Sequence, residues 1–172
     1  YEESYGYMLG DYVRDKDAVT AALCLTEMAA WYAGQGMTLY DALQKLYEKY
    51  GFYAEKTHNL VMPGLDGLKD MAELMKSLRE TPPAEISGVP VVTRKDYTDG
   101  SVVDCATGAR TTMELTGSNV LRFELADGTS VIVRPSGTEP KIKVYILTQG
   151  ADAADAQANL EKYGQWVKTL QK

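Results

Sequence analysis

The chain has 172 residues, with 18 Lys and Arg against 24 Asp and Glu, a formal net charge of −6. An acidic surface repels a phosphate backbone, which argues against general nucleic-acid binding, although net charge still allows one local basic loop that takes a small anion. A hydrophobic fraction of 45% and a charged fraction of 24% exclude a disordered or collagenous chain.

Residues 1–15 are polar, rich in Tyr and Gly, and read as a loop. Asp15 or Asp17 then caps a helix that runs to about Ala33, because a carboxylate accepts from the free N–H groups of a first turn. Val19, Ala22, Leu23, Leu25, Met28, Ala29 and Tyr32 make this helix apolar over most of its surface, which predicts that it is well buried. Gly34 and Gly36 stop it. Thr38 starts a second helix, with Asp41 three residues on at the spacing of a capping box. Leu39, Ala42, Leu43, Leu46, Tyr47 and Tyr50 recur there at helical period, and Gly51 ends the run. The two make a helical hairpin.

Residues 52–62 look extended and contain the only histidine, His58. Without Cys, Asp or Glu at ligand spacing it reads as structural. Pro63-Gly64 breaks the chain, and we place a domain boundary there, between residues 1–62 and 63–172. Leu65, Leu68, Met71, Ala72, Met75 and Leu78 mark an amphipathic helix stopped by Thr81-Pro82-Pro83. The period then becomes strand-like. Val89–Thr93 is one β segment, and residues 95–119 are loop-rich with a short extended piece around Ser101–Asp104. Val120–Leu125 alternates, and Asp127-Gly128 turns it into Thr129–Arg134 as a hairpin. Lys141–Leu147 alternates again, and Ala153, Ala156, Leu160, Tyr163, Val167 and Leu170 finish with a helix. The connections are mostly too short for parallel crossovers, so the second part is an antiparallel sheet with helices on one face, an α+β fold.

No run approaches the ~20 apolar residues of a membrane helix, and Tyr1-Glu2-Glu3 is no basic leader. Cys24 and Cys105 lie far apart at no metal spacing. The expectation is a cytoplasmic protein with reduced thiols and neither a membrane nor a nucleic-acid partner. The first residue is not Met, and the polar, motif-like start suggests a piece of a longer protein.

The most informative segment is Arg134-Pro135-Ser136-Gly137-Thr138-Glu139-Pro140-Lys141, which joins two strands at one edge of the sheet. Two prolines stiffen it. Arg134 offers a forked guanidinium, Ser136 and Thr138 offer hydroxyls, and Gly137 lets its amide approach a ligand; Lys141 lies just beyond. A phosphate group binds that set of donors. Glu139 is the opposing charge and is expected to point away from a bound anion. An ordinary hairpin turn uses the same residue types, so composition leaves both readings open. A second segment, Tyr1-Glu2-Glu3-Ser4-Tyr5-Gly6, could accept from sugar hydroxyls or be a solvated acidic terminus. In a third, Arg14-Asp15-Lys16-Asp17, the aspartates suit a helix start, while Arg14 and Lys16 oppose its dipole and hint at an external anion.

Taken together, these segments resemble the α-D-phosphohexomutases. RPSGTEPKIKVY is similar to the phosphate-binding loop of that family's fourth domain, and EESYGY to the sugar-binding loop of its third. The resemblance covers essentially the whole chain. It lies closest to the phosphoglucomutase and phosphomannomutase branch, with phosphoglucosamine mutases ranked lower. It implies the end of domain three, a helical remnant of an α/β domain, followed by a domain four similar to the TATA-binding-protein fold. For the parent enzyme it implies a reversible phosphoryl shift between the 1- and 6-positions of a hexose phosphate, most readily glucose. That reaction uses a phosphoserine and a hexose 1,6-bisphosphate intermediate or activator. By match to the motifs, Arg134, Ser136, Gly137, Thr138 and Lys141 would hold the substrate phosphate. Glu2 and Ser4 would contact the sugar, and Arg14 and Lys16 would line the cleft. The family's serine loop and aspartate-rich magnesium loop have no counterpart here, so the expectation is no catalytic residue, no bound Mg2+ and no turnover by this chain alone. It would need the N-terminal domains of its parent. The alternative is a non-catalytic module that binds phosphate or a phosphorylated metabolite.

Overall fold

A computed structural model of the protein describes residues 7–171. It divides into two compact units, residues 1–50 and 51–172.

The first unit holds α1 (Ala18–Ala33) and α2 (Leu39–Tyr50). Asp17 caps α1, its carboxylate accepting from the Val19 N–H at 2.8 Å. Thr38 and Asp41 form a reciprocal cap on α2: the Thr38 N–H donates to Asp41 Oδ2 at 2.8 Å, and the Asp41 N–H donates to Thr38 Oγ1 at 3.1 Å. The expected burial of α1 is not met. None of its residues is buried, Val19 is 78% exposed and Trp31 62%, and α2 buries only Ala42. One twelve-residue helix, α2, cannot cover a helix that is apolar nearly all round.

The second unit is built on a sheet whose strands are β1 (Phe52–Val61), β2 (Glu85–Ile86), β3 (Val89–Asp96), β4 (Ser101–Asp104), β5 (Arg110–Thr112), β6 (Leu121–Leu125), β7 (Ser130–Pro135) and β8 (Lys141–Gly150). Their order is β1-β8-β7-β6-β3-β4-β5, with β2 on β3, and every pairing is antiparallel. The α+β class is as the sequence implies. Two boundaries are not. Residues 52–61 pair with β8 over ten positions, from Phe52↔Gly150 to Val61↔Lys141. Their hydrogen bonds lie with the second unit, so the division falls at Tyr50 and not at Met62. The loop-rich stretch also contains β5, whose three residues are all exposed and carry no apolar alternation.

Alternation puts Leu121, Phe123 and Leu125 of β6, Val131 and Val133 of β7, and Ile142, Val144 and Ile146 of β8 on one face. Met75 and Leu78 of α3 (Gly67–Glu80) and Leu160, Tyr163 and Val167 of α4 (Ala153–Thr169) close over that face in a single core. Polar pairs pin the edges of this core. Thr129 and Thr148, both buried, share a hydroxyl hydrogen bond of 2.8 Å. The Tyr163 hydroxyl donates to Asp127 in the β6–β7 turn, where Gly128 takes a φ of 84°. Burial pushes the Tyr163 phenol well above its ordinary value, and the Asp127 carboxylate adds to this. Asp127 meets the opposite outcome. Burial alone would raise it, but hydrogen bonds from Tyr163 and Thr129 hold it below the usual carboxylate range.

Helix α4 starts against the end of β8, with the Ala151 N–H donating to Asp155 Oδ2 at 2.8 Å and the Asn159 side chain donating to the Gln149 carbonyl at 3.1 Å. A Cβ at Gly150 would sit 2.2 Å from the Ala156 nitrogen and 2.7 Å from its Cα. Both atoms are backbone, so the helix itself would have to move. Gly150→Ala is expected to destabilise the chain by roughly 1–3 kcal/mol, read as a lower midpoint in urea unfolding; an unchanged midpoint would refute the contact.

Candidate functional site

The β7–β8 connection is short because its strands pair to the end, with Arg134 opposite Lys143 and Pro135 opposite Ile142. The Ser136 N–H donates to the Lys141 carbonyl at 2.8 Å and the Lys141 N–H to the Glu139 carbonyl at 2.7 Å, which closes the loop on itself. The Met62 N–H donates to the Pro140 carbonyl at 2.9 Å, tying the loop to the end of β1. The Ser136 hydroxyl accepts from the amides of Thr138 and Glu139 at 3.4 and 3.3 Å.

Within this frame the candidate residues differ in what they leave available. Arg134 and Gly137 are exposed; the Arg134 guanidinium makes no hydrogen bond or ion pair among the described residues, and neither does the Gly137 amide. A Cβ at Gly137 would meet nothing within 4 Å, so glycine here gives open access to the amide. Thr138 is also exposed, at the loop tip. Lys141 is different. Its ammonium forms an ion pair with Glu139, so the carboxylate expected to point away instead neutralises one of the candidate cations. The structure therefore gathers Arg134, Ser136, Gly137, Thr138 and Lys141 in one loop, with Arg134 as the uncompensated charge.

Sequence reasoning passed over Lys143. It lies directly across from Arg134, on the sheet face away from the helices. Strand alternation carries the signal, since Lys141 and Lys143 are two residues apart and share a face. Further across the same face, Lys95 and Arg122 both contact Glu124, at 2.7 and 3.2 Å.

The other segments stand apart. Arg14 and Lys16 are exposed just before α1, in the first unit. Glu2 and Ser4 lie outside the described residues. Among the described residues, no three His, Cys, Asp or Glu side chains are grouped to hold a metal ion. No described helix is long and apolar enough to cross a membrane.

An antiparallel sheet backed by helices, with a loop rich in polar and basic residues joining two of its neighbouring strands, defines the second unit as an α+β domain. The chain belongs to the phosphoglucomutase/phosphomannomutase family. Residues 59–161 match that family's C-terminal domain, and residues 1–50 match its alpha/beta/alpha domain III. It is 35% identical over 155 residues to the phosphoglucomutase of Staphylococcus aureus strain MRSA252, covering 90% of this chain and 28% of that protein. It is 35% identical over 146 residues to the phosphoglucomutase of Staphylococcus haemolyticus, covering 85% of this chain and 26% of that one. The chain thus spans about a quarter of the length of the curated relatives it matches. Among solved structures, the open form of parafusin, a phosphoglucomutase from Paramecium, has a similar fold, with a TM-score of 0.57 at 19% identity over 98% of this chain and 29% of that one.

His58 reads as structural in three dimensions too. Its Nε2 is buried with no hydrogen-bond partner among the described residues, and its ring lies under α4 where a Cβ at Gly164 would come within 3.1 Å. Burial holds the imidazole pKa below its ordinary value, helped by Lys56 and Lys168. A histidine depressed in the folded state binds its proton more readily when unfolded, so stability is present above pH 6.5 and is lost as pH falls below it. The thermal midpoint should therefore drop as a neutral solution is acidified through 6.5, well before Asp96 and Asp127 take up protons below 3.8. His58→Gln should flatten that part of the profile. An identical slope in the variant would exclude His58 as its source.

Proposed function

We propose that this chain is the C-terminal, substrate-holding part of a phosphohexomutase that interconverts hexose 1-phosphate and hexose 6-phosphate, with glucose as the preferred sugar. Its task is to grip the phosphate that is not being transferred. Phosphoryl transfer depends chiefly on position and charge stabilisation, so a loop that holds the far end of the substrate sets the geometry of the reacting end. Arg134 supplies a forked pair of donors to the phosphate oxygens, Gly137 and Thr138 supply donors at the loop tip, and Ser136 shapes the turn. Lys141 takes part by exchanging Glu139 for a phosphate oxygen. Glu2 and Ser4 contact the sugar hydroxyls, and Arg14 and Lys16 line the cleft. The phosphoserine and the magnesium ligands belong to N-terminal domains of the same polypeptide, so this chain alone gives no turnover. The parent works in the cytoplasm through a hexose 1,6-bisphosphate intermediate.

The observation that carries this reading is the uncompensated Arg134 beside the open Gly137 amide, in a loop held rigid by both flanking strands. The family membership of the chain and the phosphoglucomutases among its relatives support this reading of the reaction.

Titration of the 15N-labelled chain with glucose 1-phosphate tests it. The amides of Gly137 and Thr138 should shift, with changes near the loop confined to residues 134–141. Arg134→Ala should weaken binding roughly 10- to 150-fold, the equivalent of ~1.5–3 kcal/mol for a lost charge-assisted hydrogen bond. Loop amides that stay unmoved at saturation, or an Arg134→Ala variant that binds as well as its parent, would overturn the assignment. A coupled assay for glucose 6-phosphate should detect no product from this chain, and measurable turnover would refute its catalytic dependence on other domains.

A further inference from the structure

At the other side of the second unit, two clefts meet. One, of about 480 Å³, is mostly apolar and is walled by Pro83, Pro90, Val91 and Val92. The other, of about 210 Å³, is polar and lies between the end of α3 and strands β3 and β4. Both are bordered by Pro82, Arg94 and Val103, so Arg94 stands at the junction. It projects from β3 on the helix-bearing face, level with Phe123 of β6 and Val103 of β4. Strand β3 lies two positions from β7 in the sheet, which separates this junction from the phosphate loop.

The charges around the junction are unequally satisfied. Arg79 is fully engaged: it contacts Asp96 at 2.7 Å, Asn119 at 2.6 Å and Thr98 at 3.0 Å. Asp99 accepts from the Ser101 N–H, and Asp104 accepts from the N–H groups of Ala106 and Thr107. Lys95 turns to the opposite face and pairs with Glu124. Arg94 is the exception, since its Nε is buried with no acceptor among the described residues. Arg110 of β5 borders the same polar cleft from its exposed strand. A buried guanidinium N–H without an acceptor is costly, and the group that best satisfies it is an oxyanion that takes the fork edge-on.

We propose that this junction is a second anion site, which takes a small organic oxyanion with its charged head on Arg94 and Arg110 and its apolar body along the proline-lined cleft. The local cations select the charge, and the adjoining apolar cleft selects an aryl or alkyl body over a bare inorganic ion. The site is independent of the phosphate loop.

The test follows phenyl phosphate, benzoate and inorganic phosphate in separate titrations of the 15N-labelled chain, reading the Arg94 Nε–H signal and the amides of Ser101, Val103 and Cys105. Phenyl phosphate should move these signals and should bind about tenfold more tightly than inorganic phosphate, because its ring is buried as well. Benzoate reports whether a carboxylate head serves in place of a phosphate. Arg94→Gln should abolish the shifts while the sheet amides keep their dispersion, and Arg110→Gln, on an exposed strand, should weaken binding about threefold. Shifts confined to residues 134–141 would overturn the second site and leave the loop reading intact. Shifts at Arg94 with an unmoved loop would do the reverse. Shifts that persist undiminished in both variants would also overturn it.

Discussion

Strand β8 is the member on which the rest of the second unit depends. It pairs with β1 along one edge and β7 along the other, and it buries Ile142, Val144, Ile146 and Thr148 beneath the helices. Because side chains alternate along a strand, one register decides both what enters the core and what faces outward. A slip by one residue would put Lys141 and Lys143 inside and Val144 outside. The register that forms the core therefore also sets the two lysines beside Arg134. Stability and the cationic character of the loop come from a single constraint.

The loop inherits its rigidity from that arrangement. Its first residue bonds to Lys141, its last proline bonds back to Met62, and the Ser136 hydroxyl occupies the inside of the turn. Little conformational entropy remains to be lost when a ligand arrives. The Glu139–Lys141 ion pair gives the loop an internal counter-charge, so under the proposed function a phosphate would compete with a tethered carboxylate for the lysine while Arg134 stays uncompensated.

Much of this was legible in the sequence. The Thr38–Asp41 cap, the Asp127-Gly128 turn and the helix ending at Thr81-Pro82-Pro83 are local devices, and each appears where local chemistry places it. The partner of residues 52–61 was not legible, because nothing within that segment says which distant strand completes its hydrogen bonds. That is why the boundary was set at Pro63 and the structure moves it to Tyr50. The three polar residues of β5 lack the alternation that marks a half-buried strand. For the site, residue types pointed to the loop, while the Glu139 pairing and the Arg94 junction depend on side chains meeting across space. The burial expected of α1 failed for a further reason: apolar composition shows that a helix needs a cover, not that the same chain supplies it.

The pairing of Phe52 with Gly150 has a consequence for biosynthesis. A ribosome delivers β1 early and β8 late, and Val167, which helps to seal the core, later still. Throughout that interval β1 is a ten-residue segment with unsatisfied backbone groups, open to strands of neighbouring chains. The middle of its outward face holds Glu55, Thr57 and Asn59, polar side chains, with the exposed Tyr53 and Val61 at its ends. Folding of this unit therefore waits for β8 to be synthesised, roughly ninety residues after β1.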